Sequence, residues 1–350
     1  MQYNKERILS RLMEMIQIDS VSYKEGPMTD YLQKYFEDRG YEVYRDQAGK
    51  AVGGDHSGNL LIHIPGTMEG ESICLNAHQD TVEPGIGIVP VLEDGKLKSS
   101  GDTILAADDK SGIAIMLELL EVLKETGTPH RDMYYLFTIC EESGMYGAKK
   151  FDYSKIPTKN IFSLDGAGNL GFILKSGAGK DVLTITFHGK SAHGGIEPEK
   201  GINAINAAAL AISKVKFGRI DPETTSNIGR IEGGAATNIV TDKVTFTCEV
   251  RSHSQAQIEA QVQKIMDACQ EAAAEFGATV DIDVDHFCPP HKPDLDGFLT
   301  KATVRALELE ATAISSLATA LTAPGSPPVC STSIPPANTW IWPYSSRPST

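Results

Sequence analysis

The feature that most constrains this chain is a change of rhythm part-way along it. In the first 165 residues, short apolar runs at Leu60–Ile64, Ile73–Ala77, Tyr134–Ile139 and Ile161–Leu164 occur with stretches of helical periodicity at Ile8–Ile16, Met28–Phe36 and Ser111–Leu123. Such alternation predicts an α/β domain with a mainly parallel sheet and helices on both faces, whose ligands bind beyond the carboxyl ends of the strands. From about Lys180 the order becomes strand Val182–His188, Ala-rich helix Ile202–Val215, strands Asn227–Glu232 and Lys243–Arg251, helix Ser254–Phe276 and strand Thr279–Val284. That is a βαββαβ, ferredoxin-like α+β unit, able to fold as an insert. The expected organisation is therefore a first domain over residues 1–178, an inserted domain over 179–288 and a return to the first domain over 289–350. After Glu310 the sequence turns Pro-, Ser- and Thr-rich with Arg347 as its one charged residue, and irregular chain is expected there.

Composition narrows the partners. With 32 basic against 46 acidic residues, a net charge of -14 and no basic run, nucleic acid and anionic membrane are excluded as expected partners, because both require a concentrated positive patch. Charged residues interrupt Met1–Ser20, and no apolar stretch has the length of a membrane span. Six scattered cysteines without a CxxC pair fit buried thiols in a reducing, cytoplasmic compartment.

Four strand or helix ends carry the candidate chemistry. The run Cys74–Ala77 leads into His78-Gln79-Asp80, where i and i+2 project from one face, so that Asp80 can orient a ligating His78. A surface pair at a strand end satisfies the same pattern. Asp108 and Asp109 precede the long helix, where one can cap the helix and the other bridge metals. An apolar strand ends at Glu141-Glu142, either a solvated turn or a pair in which one carboxylate ligates and the other serves as general base. Asp165 follows a further apolar strand. Taken together, strand ends converging on one sheet edge point to a metal site. One imidazole among carboxylates suits zinc, cobalt or manganese, and a shared carboxylate can hold two ions about 3.5 to 4 Å apart. The expected chemistry is amide hydrolysis.

The segments HQDTV, GDTILAADDKSG, EESGMYGAK, LDG and GKSAHGG, in this order and spacing, resemble the dinuclear zinc metallopeptidase family of peptidase T, carboxypeptidase G, aminoacylase and succinyl-diaminopimelate desuccinylase. The ADDK segment is most similar to the peptidase T-like branch. The resemblance implies a peptidase acting on short peptides, with water activated by the metals. It gives His78, Asp108 and Asp165 to one zinc, with Asp108 bridging to a second held by Glu142. Asp80 would orient His78, and Glu141 would take the water proton. It also implies a cis peptide between Asp108 and Asp109, a homodimer formed through the lid domain, and substrate contacts from His193, Asn238 and Arg251.

An N-acyl amino acid deacylase or carboxypeptidase shares the same site, and substrate would then be an N-acyl amino acid. The tail departs from the family pattern. It lacks a GGGSDAN-like segment, a Gly-Ile-Pro turn and a histidine beyond His291, as a change of reading frame near residue 310 would produce. As written, the chain is expected to occupy its second metal site weakly, and a catalytically impaired binding or dimerisation module is the third reading.

Overall fold

A computed structural model describes residues 3–166, 176–292, 294–309, 320–322 and 340–341. The chain divides into two compact units, Met1–Lys175 with Pro293–Thr350, and Ser176–Lys292. The first unit contains, in order, α1 (Lys5–Ile16), α2 (Gly26–Glu37), β1 (Val43–Arg45), α3 (Ala48–Ala51), β2 (Leu60–Ile64), β3 (Ile73–His78), β4 (Pro90–Glu93), β5 (Lys96–Ser99), α4 (Ala107–Thr126), β6 (Met133–Thr138), α5 (Tyr146–Lys150) and β7 (Ile161–Ser163). The second contains β8 (Gly179–His188), α6 (Ala204–Lys214), β9 (Gly218–Asp221), β10 (Thr224–Gly233), β11 (Lys243–Ser252), α7 (Gln255–Phe276) and β12 (Thr279–Cys288). The first unit then resumes with α8 (Phe298–Leu309), β13 (Ala320–Thr322) and β14 (Trp340–Ile341).

The main sheet of the first unit has the order β1-β2-β6-β3-β7-β13. Its centre, β6-β3-β7, is parallel, while β1, β2 and β13 join antiparallel. Alternation along the strands separates two apolar faces. Leu60, Ile62, Leu75, Ala77, Tyr135 and Phe137 pack with Leu12 and Met15 of α1, Leu32 and Phe36 of α2, and Ile113 and Leu117 of α4. Leu61, Cys74, Leu136 and Ile161 face the other way and meet Phe151 and Ile156. Parallel register places His78 beside Thr138 and Asn76 beside Ser163, so β3, β6 and β7 finish at the same sheet edge.

Several elements of this unit are absent from the sequence reading: α3, α5, α8, β13, β14, β1 and the β4-β5 hairpin. Strand β1 is three residues long, too short to show alternation. The hairpin β4-β5 turns at Asp94-Gly95, both at positive φ, which is the dipeptide that a two-residue hairpin turn favours. Of the Pro-rich tail, the described residues form only β13 on β7 and β14 on β5. The expectation of irregular chain for the rest of the tail lies outside the described residues.

The second unit is a five-stranded antiparallel sheet, β12-β8-β11-β10-β9. Leu183, Ile185, Phe187, Val244, Phe246 and Val250 bury against the small face Ala204, Ala207, Ala208 and Ala211 of α6, and against Ile258, Ile265 and Cys269 of α7. Short β9 adds a strand to the expected βαββαβ order. The ends of the unit meet, because Gly177 N donates to His291 O (2.8 Å) and His291 N to Gly177 O (2.9 Å). Among the described residues, no helix is long and apolar enough to cross a membrane.

Candidate metal centre

The shared strand edge assembles the site. His78 is the last residue of β3, the Glu141-Glu142 pair follows β6, Asp165 follows β7, and Asp108 and Asp109 lie in the first turn of α4. His78, Asp108 and Asp165 each offer a ligand atom within 4.8 Å of the others'. His78 is 3% exposed, whereas the Asp108 side chain is 59% exposed, so the trio opens to solvent through Asp108. The peptide bond between Asp108 and Asp109 is cis.

The two neighbouring aspartates have separate tasks. Asp108 Oδ1 lies 3.1 Å from His78 Nε2. Asp109 turns away into the protein, where it accepts from Gly112 N (3.2 Å) and from His78 N (3.3 Å). It caps the helix and ties it to β3, leaving Asp108 to face the site. Adjacent Lys110 is fully buried and donates from Nζ to Ile18 O (2.7 Å).

Asp80, also fully buried, sits behind His78 with Oδ1 3.3 Å from Nδ1. It further accepts from Ser22 Oγ (2.7 Å), Glu141 N (2.9 Å) and Glu142 N (3.1 Å). His78 Nδ1 lies closer still to the main-chain Asp80 O (3.0 Å), so Asp80 holds the imidazole through carbonyl and carboxylate together while its carboxylate grips the backbone of the glutamate pair. The sequence pattern set Asp80 beside His78 as a strand neighbour, whereas β3 ends at His78 and Asp80 lies beyond it; the grip on the glutamate backbone and the Ser22 contact were not foreseen.

Electrostatically the carboxylates of the centre outnumber its one imidazole. Burial, the largest influence, pushes the Glu141 carboxyl up to about 9, with Asp165, Asp80 and Glu142 adding to it and His78 opposing. Glu142 is pushed up to about 7, again mainly by burial, with Asp108, Asp80 and Asp165 adding. Burial alone would lower His78, but hydrogen bonds to Asp108 and Asp80 raise it well above its ordinary value. Carboxylates crowded round one imidazole favour a divalent cation, which would compete with these protons for the same lone pairs. The donor set thus fits a hard or borderline metal ion.

The remaining predicted residues belong to the second unit. His193 and Asn238 are exposed neighbours: a bridge joins His193 to Ile239, and Gly194 N donates to Asn238 O (2.8 Å). Arg251 makes a two-pronged contact with Glu249, Nε to Oε1 at 2.8 Å and Nη2 to Oε2 at 3.0 Å. His291, the last histidine, is held by its backbone to Gly177.

Comparison with known proteins bears on this arrangement. Residues 179–277 match the family described as a peptidase dimerisation domain, and residues 59–193 match peptidase family M28. The protein YqjE of Bacillus subtilis is 42% identical over 289 residues, covering 83% of this chain and 78% of its own length. The solved structure of aminopeptidase PepT from Bacillus cereus superposes with a TM-score of 0.81 at 40% identity, over 93% of this chain and 86% of that one. A tripeptidase from Staphylococcus aureus superposes with a TM-score of 0.83 at 33% identity, over 93% and 87% of the two chains.

Proposed function

Since the chain belongs to the M20 peptidase family, on its peptidase T-like branch, we propose that it is a metal-dependent aminopeptidase that removes residues from short peptides with a free amino terminus. The observation that carries the reading is the convergence of His78, Asp108 and Asp165 within 4.8 Å at the carboxyl edge of a parallel sheet centre. Zinc is the proposed metal, with cobalt or manganese as functional substitutes. His78, Asp108 and Asp165 would hold one ion, and Asp108 with Glu142 a second.

A cation bound there supplies Lewis acidity, lowering the pKa of water and polarising the scissile carbonyl. The protein's own groups do the rest. Asp80 fixes the ring of His78 from behind and holds the backbone from which Glu141 projects. Glu141 accepts the proton of the attacking water and returns it to the leaving amine. Its carboxyl is raised mainly by burial and further by its acidic neighbours, and bound cations would offset the neighbours' part. His193, Asn238 and Arg251 are assigned to substrate on the strength of the family resemblance. A homodimer formed through the second unit is the proposed assembly, supported by the dimerisation-domain match.

A deacylase or carboxypeptidase built on the same donor set is the second reading, and a binding module without turnover the third. Purified protein loaded with zinc or cobalt should be assayed on tripeptides, dipeptides and N-acylated amino acids, with bound metal counted in parallel. Cleavage of free-amino tripeptides supports the aminopeptidase. Cleavage restricted to N-acylated substrates overturns it in favour of a deacylase, and peptide binding without turnover supports the binding module. Glu141→Gln should lower turnover by about 10²- to 10⁴-fold with metal content unchanged.

A further inference from the structure

The segment that carries Glu141 and Glu142 is not held by the sheet. Strand β6 ends at Thr138, and the next four backbone N–H groups each donate to a side-chain oxygen from a remote part of the first unit. Ile139 N donates to Asn59 Oδ1 (3.1 Å), Cys140 N to Glu25 Oε1 (2.9 Å), Glu141 N to Asp80 Oδ1 (2.9 Å) and Glu142 N to Asp80 Oδ2 (3.1 Å). Buried amides must be paired, and here the pairing is made by three residues chosen for reach and charge.

Glu25 is the least expected of the three. It stands at the N-cap of α2 but makes no side-chain bond to that helix. Instead it is fully buried, accepting from Cys140 N and Cys140 Sγ (3.2 Å) through Oε1 and from Ser57 Oγ (3.2 Å) through Oε2. Burying a carboxyl is costly unless its oxygens are satisfied, and Glu25 spends both on Cys140 and Ser57. Cys140 itself has φ +49°, a left-handed conformation that side-chain-bearing residues rarely adopt and that persists only where its surroundings fix it. Asn59 closes the far end of the same loop, donating from Nδ2 to Gly147 O (2.8 Å). At Gly147 an added Cβ would come within 2.2 Å of Ile139 O and 2.7 Å of Asn59 Oδ1, so the closure leaves no room for a side chain.

We propose that Glu25, seconded by Asn59, is a positioning residue that sets the left-handed turn at Cys140 and thereby the direction in which Glu141 and Glu142 leave the sheet. The proposal rests on the reading of Glu141 as base and Glu142 as ligand. It concerns turnover rather than substrate affinity, because among the described residues the Glu25 carboxyl is bonded to Cys140, Ser57 and its own backbone, none of them a proposed substrate contact.

The test compares Glu25→Ala, Glu25→Asp, which keeps the charge but shortens the reach, and Glu25→Gln, which keeps an oxygen acceptor, with Asn59→Ala alongside. Amide hydrogen exchange over residues 139–145 is measured on the metal-free protein, and kcat and KM on the zinc-loaded enzyme. Expected for Glu25→Ala and Glu25→Asp is exchange faster by about tenfold and confined to 139–142. Their kcat should fall by roughly 100-fold, the scale of a misplacement of about 1 Å, with KM within about threefold. Glu25→Gln should restore both. Exchange and kcat unchanged in Glu25→Asp would overturn the proposal, as would equal losses in Glu25→Asp and Glu25→Gln, or exchange accelerated throughout the first unit. Should Glu25→Ala fail to fold, the Asp and Gln pair decides. If the wild type cleaves no peptide, the functional reading fails, while the exchange contrast still judges Glu25.

Discussion

Asp80 shows how much one side chain can organise. Its oxygens meet His78 Nδ1, Ser22 Oγ and two successive backbone amides, and it is shielded from water. Asp80→Asn, by removing the charge behind the imidazole, is expected to weaken metal binding about 10- to 100-fold, measured by competition with a chromophoric chelator. His78→Ala should abolish stoichiometric binding in the same assay. The His78-x-Asp80 spacing marked the pair, but as two residues on one strand face, whereas β3 ends at His78 and Asp80 meets the imidazole from the irregular segment just beyond it. The grip on Glu141 and Glu142 was not legible, because the donors are main-chain amides, which every residue carries and no sequence pattern marks. Glu25 was concealed differently: a glutamate ahead of Gly26-Pro27 looks like an ordinary helix start.

At the level of elements, the apolar faces of α1, α2 and α4 were evident from their spacing, while the polar network joining them was not. Glu121 on α4 accepts from Tyr35 Oη (2.7 Å), Arg11 (3.0 Å) and Arg39 (3.1 Å), and Arg39 also lies 3.6 Å from the centre of the Tyr35 ring. Charged residues on a helix face read as solvated, and only the packing of three helices reveals that they meet. Burial alone would raise the Glu121 carboxyl, but the hydrogen bonds from Tyr35, Arg39 and Arg11 hold it down at about 2 against an ordinary 4.5. A depressed folded-state pKa contributes stability that is complete above about 4.5 and is lost as pH falls towards about 2. Wild type should therefore lose more stability than Glu121→Gln between those limits, as read from chemical denaturation at stepped pH. Parallel curves for the two proteins would show that the network adds nothing.

For the whole molecule, the change of rhythm near Lys180 was the decisive sequence signal, since a sheet fed by helices and a sheet built from hairpins need separate cores. The structure has both cores, one centred on Phe36, Tyr135 and Phe137 and one on Phe187 and Phe246. The strands that were not foreseen, β1, β9, β13, β14 and the β4-β5 hairpin, are two to four residues long, below the length at which periodicity can be counted. Residues 176–292 expressed alone should melt in a single cooperative transition followed by circular dichroism. They should also sediment as a dimer if this unit carries the assembly. The paired hydrogen bonds between Gly177 and His291 add a topological consequence. A module whose two ends lie hand in hand is a cassette: it can be lifted out, re-circularised with a short linker, or opened at a new point, without rerouting the chain that hosts it.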